Sequence, residues 1–180
     1  LGPLAAVSLP RDNLLLAIQA CVLAGCQLSA EQVSQTLQGL RLTGRMDWRQ
    51  IQWRGQTRSL CLDVGHNPHA ASWLASTLAQ REQPMRAVFS ALDDKDVSGI
   101  VQALRGCFLD WALAPLPTPR SRSASELQQL LDGQGEKGHC HVSVAAAISA
   151  QLDADDKSAI MIFGSFFTVA AALEWLAQRS

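Results

Sequence analysis

The sequence predicts an α/β fold: a mainly parallel sheet with helices on both faces, preceded by two helices. Three observations carry that reading. The first forty residues hold two helical patterns. From residue 46 onward, short apolar runs alternate with alanine- and leucine-rich helical stretches, the rhythm of strand–helix–strand units. The run at 159–163 is apolar without a break, as strands covered on both faces are.

The elements follow in order. Pro10-Arg11-Asp12-Asn13 opens a helix that continues to Ala24 and stops at Gly25. Ser29 caps a second one, with Gln32 three residues later as a weaker capping box, to about Gln38. Gly39 to Gly44 is the natural boundary. Residues 46–53 and 58–62 then read as strands separated by the turn residues Gly55-Gln56. Asn67-Pro68 starts a helix to about Leu78, because proline suits the first helical position. Residues 86–91 form a short strand, and Asp96 caps a helix that ends near Gly106. Residues 108–114 are the next strand, followed by a proline-rich loop to Pro119. Ser123 or Ser125 opens a helix carrying Leu127, Leu130 and Leu131. A short segment at 139–142 leads through Ser143 into an alanine-rich helix to Leu152. The buried strand at 159–163 and a helix over 168–178 complete the chain. The pair at 46–62 is expected to add an antiparallel edge.

The chain has 180 residues, 48% of them hydrophobic and 17% charged, so it can bury a sizeable core and is not expected to be disordered. Fifteen basic residues against sixteen acidic ones leave a net charge of −1, which argues against nucleic-acid binding. Apolar runs are far shorter than the ~20 residues of a membrane span. Residues 1–7 lack the basic start of a secretory leader. The first residue is Leu rather than Met, so a fragment is expected. Five cysteines, at 21, 26, 61, 107 and 140, are an odd number in a chain large enough to fold without staples. That predicts reduced thiols and a cytoplasmic location. Cys21 and Cys26 fit helix packing. His139-Cys140-His141 resembles a metal tract, but on a strand the two histidines face one way and the cysteine the other. With no second ligand pair nearby in sequence, no metal site is assigned.

In open α/β sheets, ligands gather beyond the carboxyl ends of the strands. Three stretches fall there. In 63–71, Asp63 can accept bonds from ribose hydroxyls, His66 offers a flat ring and Asn67 can cap the helix; plain turn chemistry explains the same residues. Asp93-Asp94-Lys95-Asp96 is a carboxylate cluster with one embedded lysine, equally readable as a solvated loop and cap. Gly164-Ser165 exposes backbone N–H groups suited to an anion, or makes a tight turn with a serine cap. Arg120 is placed to clamp a carboxylate.

Taken together, Asp63-Val64-Gly65-His66-Asn67-Pro68-His69-Ala70-Ala71 closely resembles the signature of the folylpolyglutamate synthases and bifunctional dihydrofolate synthase/folylpolyglutamate synthases, within the Mur-ligase superfamily. The resemblance extends over nearly the whole chain. Leu9-Pro10 with Asn13, Leu42-Thr43-Gly44-Arg45, Asp94-Lys95-Asp96, Ala114-Pro115-Leu116 with Pro119-Arg120, and Gly164-Ser165-Phe166 with Thr168-Val169 recur in the family's order. It implies that residues 1–40 end a central ATPase domain, 41–45 are a linker, and 46–180 form a Rossmann-like carboxy-terminal domain. It implies that Asn13, Arg45 and Asp63 contact ATP, with His66 close by. Lys95, Arg120 and Ser165 are the candidate contacts to glutamate or another anion. Two departures stand out: Thr43 replaces a common proline, and Phe167 stands where close relatives often carry histidine.

The implied reaction is an ATP-dependent amide ligation. A carboxylate of dihydropteroate or a folate is phosphorylated, and L-glutamate's amine attacks the acyl phosphate while Mg2+ neutralises the phosphates. No Gly-x-x-x-x-Gly-Lys-Ser/Thr loop occurs in the 180 residues. The phosphate loop, metal ligands and pterin pocket are therefore expected in an amino-terminal ATPase domain of the same chain, and the 180 residues alone are expected to be inactive. A peptidoglycan-precursor Mur ligase is the alternative within the class. A non-catalytic nucleotide- or amino-acid-binding module is the alternative outside it.

Overall fold

A computed structural model describes residues 9–154 and 158–179; the leader reading at 1–7 lies outside them. Within the described residues, α1 (Arg11–Leu23) and α2 (Ala30–Gln38) precede a six-stranded sheet. The rest runs β1 (Asp47–Trp53), β2 (Gln56–Asp63), α3 (Pro68–Leu78), β3 (Met85–Phe89), α4 (Val97–Ala103) and β4 (Phe108–Leu113). It continues with α5 (Ala124–Asp132), β5 (Gly138–Cys140), α6 (Val144–Leu152), β6 (Ala159–Phe163) and α7 (Phe166–Ala177).

The strand order is β1-β2-β6-β3-β4-β5. Only β1 runs antiparallel, against β2; the remaining pairs are parallel. Side chains alternate across each strand, so the sheet builds two cores. Cys61, Phe89, Trp111 and Phe163 face α3, α4 and α5, which contribute Leu74, Ile100 and Leu127. Leu60, Val88, Ala112 and Ile162 face α6 and α7, which contribute Ile148 and Trp175. Each large side chain so buried is worth roughly 1.5–3 kcal/mol. The first core centres on Phe89, Trp111 and Phe163, with ring centroids 5.0–5.8 Å apart.

Arg58 is buried between the layers, and its guanidinium donates to the carbonyls of Gln151, Leu152, Ala154 and Ser158. It thereby satisfies the Leu152 carbonyl, which the end of α6 leaves unpaired, and carbonyls of the segment between α6 and β6. By contrast α1 buries only Leu14, packed with Val33 and Leu37 of α2, and leaves Leu16, Val22 and Leu23 exposed.

Several boundaries move from their expected places. The hairpin turn is Arg54-Gly55 rather than Gly55-Gln56: both residues have positive φ, 48° and 77°, and Trp53 pairs directly with Gln56. That is the two-residue turn whose twist matches the strands. The last helix begins at Phe166 rather than 168, because Ser165 caps it. β5 covers 138–140 rather than 139–142, since Ser143 is already the cap of α6. α4 stops at Ala103, short of Gly106. Cys26 lies beyond α1, past Gly25, and both Cys21 and Cys26 are exposed rather than packed.

Candidate functional site

β2 ends at Asp63, and its last residues are fully sequestered in the sheet. The chain then turns through Val64-Gly65-His66 and enters α3, where the Asn67 side chain accepts from the N–H of Ala70 and Pro68 takes the first helical position. Asp63 is 3% exposed. Its Oδ1 accepts from the N–H of Gly65 at 2.7 Å, and its Oδ2 accepts from the N–H of Met46 at 2.9 Å. Burial pushes its pKa up, while the two backbone bonds and the nearby charge of Arg45 pull it down. His66 Nδ1 lies 2.9 Å from the carbonyl of Val64, so that nitrogen carries the proton and, in the neutral ring, Nε2 is left to accept.

The segment before β1 joins this turn directly. Val64 donates its N–H to the carbonyl of Gly44 at 2.9 Å. Gly44 has φ +72°, and a Cβ there would stand 3.0 Å from Val64 and 3.2 Å from Val169 of α7. That segment, the turn and α7 thus pack together, and Arg45 projects from them half-buried. The Arg45 guanidinium carbon lies 6.0 Å from the ring centre of Phe166, and the His66 ring centre lies 6.4 Å from the same ring.

A cleft of about 260 Å³ opens over the turn. It is bounded by Asn13 at the start of α1, by Arg45 just before β1, and by Asp63, His66, His69 and Trp73 at the β2–α3 junction. Four of the seven residues singled out in the sequence therefore meet here, drawn from three segments between Asn13 and His66. His69 and Trp73 were not assigned a role; their i, i+4 spacing with a shared helix face was the available signal.

The other three lie apart from this cleft. Lys95 Nζ sits 2.9 Å from Asp94, and Arg120 Nη2 sits 3.2 Å from the other oxygen of that carboxylate. Their loops are stitched together by a bridge between Leu92 and Ser121 and by the bond from Asp93 N–H to the Arg120 carbonyl, 2.8 Å. Lys95 beside Asp94 holds that carboxyl below its ordinary range. Ser165 is buried, with its hydroxyl accepting from the N–H of Thr168 at 3.0 Å and paired with the Thr168 hydroxyl at 2.8 Å. It serves the helix cap. Phe167 is exposed beside it.

His139 reaches Asp110 at 3.5 Å. No group of three or more His, Cys, Asp or Glu is placed to share a metal ion among the described residues. None of their helices is long and apolar enough to cross a membrane.

Residues 44–166 match the family described as Mur ligase, glutamate ligase domain. The dihydrofolate synthase/folylpolyglutamate synthase of Escherichia coli (strain K12) is 32% identical over 173 residues, covering 94% of this chain and 39% of its own length. The structure of E. coli FolC in complex with DHPP and ADP superposes with a TM-score of 0.82 at 30% identity, over 100% of this chain and 42% of that one. A bifunctional folylpolyglutamate synthase/dihydrofolate synthase with Mn, AMPPNP and L-glutamate bound gives 0.81 at 34% identity, over 98% and 42%. The chain spans about two fifths of the length of these relatives.

Proposed function

Because this chain belongs to the family of Mur ligase, glutamate ligase domains, we propose that it is the carboxy-terminal part of an ATP-dependent ligase joining L-glutamate to dihydropteroate and folates. One observation carries the reading. Asn13, Arg45, Asp63 and His66 come from three separate segments and bound a single cleft at the carboxyl end of β2, where an open α/β sheet takes its ligands. Relatives spanning this chain are named for that activity and bind ADP or AMPPNP.

In this reading residues 1–40 close a central ATPase domain, 41–45 link it, and 46–180 form the domain that closes on ATP. The exposed leucines of α1 are consistent with such a neighbour. Asp63 accepts from the ribose, with Asn13 and His66 beside it, and Arg45 brings fixed charge to the phosphates. Lys95 and Arg120, gathered around Asp94, offer two cations to the carboxylates of glutamate. The α7 amino terminus behind Ser165 offers backbone N–H groups to an anion. ATP phosphorylates the folate or pteroate carboxylate, and the glutamate amine displaces phosphate to form the amide. Mg2+ neutralises the ATP phosphates, held by ligands that lie mainly in the amino-terminal ATPase domain of the same chain.

The test uses the whole reading frame that encodes the chain. Purified, it should incorporate labelled L-glutamate into dihydropteroate or a folate only with ATP present. The 180 residues alone should bind ATP weakly, with Kd on the order of hundreds of micromolar or poorer, and turn nothing over. Nucleotide binding by the whole protein without any ligation would favour a binding module; ligation onto a peptidoglycan precursor instead would favour the other Mur-ligase branch.

A further inference from the structure

We propose that Phe166 is a positioning residue: its ring fixes the Arg45 guanidinium and the His66 imidazole where they border the cleft. This rests on the nucleotide reading above only for its effect on ATP, not for the contact itself. Phe166 is 63% exposed, which alone means little for a surface phenylalanine. What matters is what flanks it. One neighbour is the Arg45 guanidinium, 6.0 Å from the ring centre; the other is the His66 ring, tilted by 46° at 6.4 Å. Both neighbours bound the cleft, one from the linker and one from the β2–α3 turn.

The ring has little freedom to be elsewhere. Gly164 turns the chain at φ +114°, with a would-be Cβ 2.1 Å from the carbonyl oxygen of Ser90. Ser165 then caps α7, which makes Phe166 its first residue. Three residues further along, Val169 packs on Gly44, the residue before Arg45. The backbone thus presents Phe166 to Arg45 at a set distance. Among the described residues Arg45 has no ion-pair partner, so the ring is what restrains an otherwise long, flexible side chain. A cation over an aromatic ring at an exposed site is worth a factor of about two to five in an equilibrium. Spent before the ligand arrives, that restraint lowers the entropy Arg45 must lose on gripping a phosphate.

Side-chain NMR of the 180-residue chain tests the contact without any ligand. In Phe166→Leu the Arg45 Nε order parameter should fall toward the flexible range, below about 0.6, and the His66 ring signals should shift. Phe166→Trp should restore both, and Phe167→Leu, at a neighbour 48% exposed, should change neither. Unaltered Arg45 and His66 signals in a Phe166→Leu chain of unchanged Tm would overturn the proposal. In the whole enzyme Phe166→Leu should raise KM for ATP about two- to fivefold with kcat little changed, and Phe166→Trp should rescue it. A loss of kcat with KM unmoved would equally overturn it. If the wild-type enzyme ligates nothing, the functional reading fails while the NMR result still decides the role of Phe166.

Discussion

The carboxylate of Asp63 holds the backbone N–H of Met46 at 2.9 Å across 17 positions of sequence. Met46 needs such a hold, because it sits at φ +44°, a conformation a long unbranched side chain rarely adopts. The same carboxylate closes the turn at Gly65. One buried group therefore straps the residue before β1 to the end of β2, and each oxygen keeps a lone pair with which to meet a ligand.

Asp63→Asn tests both duties. The amide turns one acceptor into a donor facing a backbone N–H, a cost of about 1–3 kcal/mol. Calorimetry should show Tm lower by roughly 3–10 °C, and KM for ATP in the whole enzyme should rise as well. A variant as stable as the wild type would remove the strap from the account.

Arg45→Ala should behave in the opposite way. With no ion pair to lose among the described residues, Tm should stay within about 1–2 °C. If Arg45 meets the ATP phosphates as proposed, its loss should raise KM for ATP at least about tenfold. A large drop in Tm would make Arg45 structural.

Gly164→Ala should be among the most damaging single changes. The new methyl would stand 2.1 Å from the Ser90 carbonyl oxygen and 2.7 Å from the Phe89 ring, so β3, β6 or the α7 start must move. A loss on the order of 3–5 kcal/mol is expected, seen as a lowered urea midpoint. A midpoint equal to the wild type would show that the turn yields easily.

The α5 capping box should titrate. Glu126 accepts from the N–H of Ser123 at 2.8 Å and from its hydroxyl at 2.7 Å, and these bonds hold its carboxyl below its ordinary value of 4.5. A lowered folded pKa stabilises above the unfolded value and ceases to do so as pH falls through the folded one. The Tm advantage of wild type over Glu126→Gln should therefore be full above pH 4.5 and shrink on acidification. A difference independent of pH would remove the charged cap from the account.

Thiol reactivity should follow burial. Cys21, Cys26 and Cys140 are exposed, Cys107 is half-buried and Cys61 is fully enclosed. Burial pushes the pKa of both Cys61 and Cys107 up, which withholds the reactive thiolate. Three thiols should label quickly with a maleimide, one slowly, and Cys61 only on unfolding. Rapid labelling of Cys61 in the native chain would contradict the enclosed sheet face.

Much of this architecture was legible because local chemistry and tertiary role agree. Ser29 with Gln32, Asn67 with Pro68, and Asp96 each cap the helix they announce, and the unbroken run at 159–163 is indeed buried on both faces. Where they diverge, the reading slips. Phe166 and Phe167 are exposed at a helix start, which no apolar periodicity foretells. The turn at Arg54-Gly55 puts an arginine at positive φ, so residue type pointed one position too late. Nor does spacing reveal that Asp63 reaches back to Met46, or that Asn13 comes to border the same cleft as His66: both depend on how separate segments dock.

The place of β6 in the sheet has a kinetic consequence. The last of the described strands in chain order stands between β2 and β3, and among the described residues β2 has no other strand partner on that side. As the chain leaves the ribosome, β3, β4 and β5 can assemble, and the β1–β2 hairpin can close, but no strand ladder joins the two halves of the sheet until residue 163 has emerged. Closing contacts so distant in sequence slows folding. Until then the flanks of β2 and β3 present open, apolar edges, the kind of surface on which nascent chains aggregate. Folding should therefore show a late step that docks the hairpin, and losing a few residues from β6 should cost the junction where the cleft is built before it costs the secondary structure on either side.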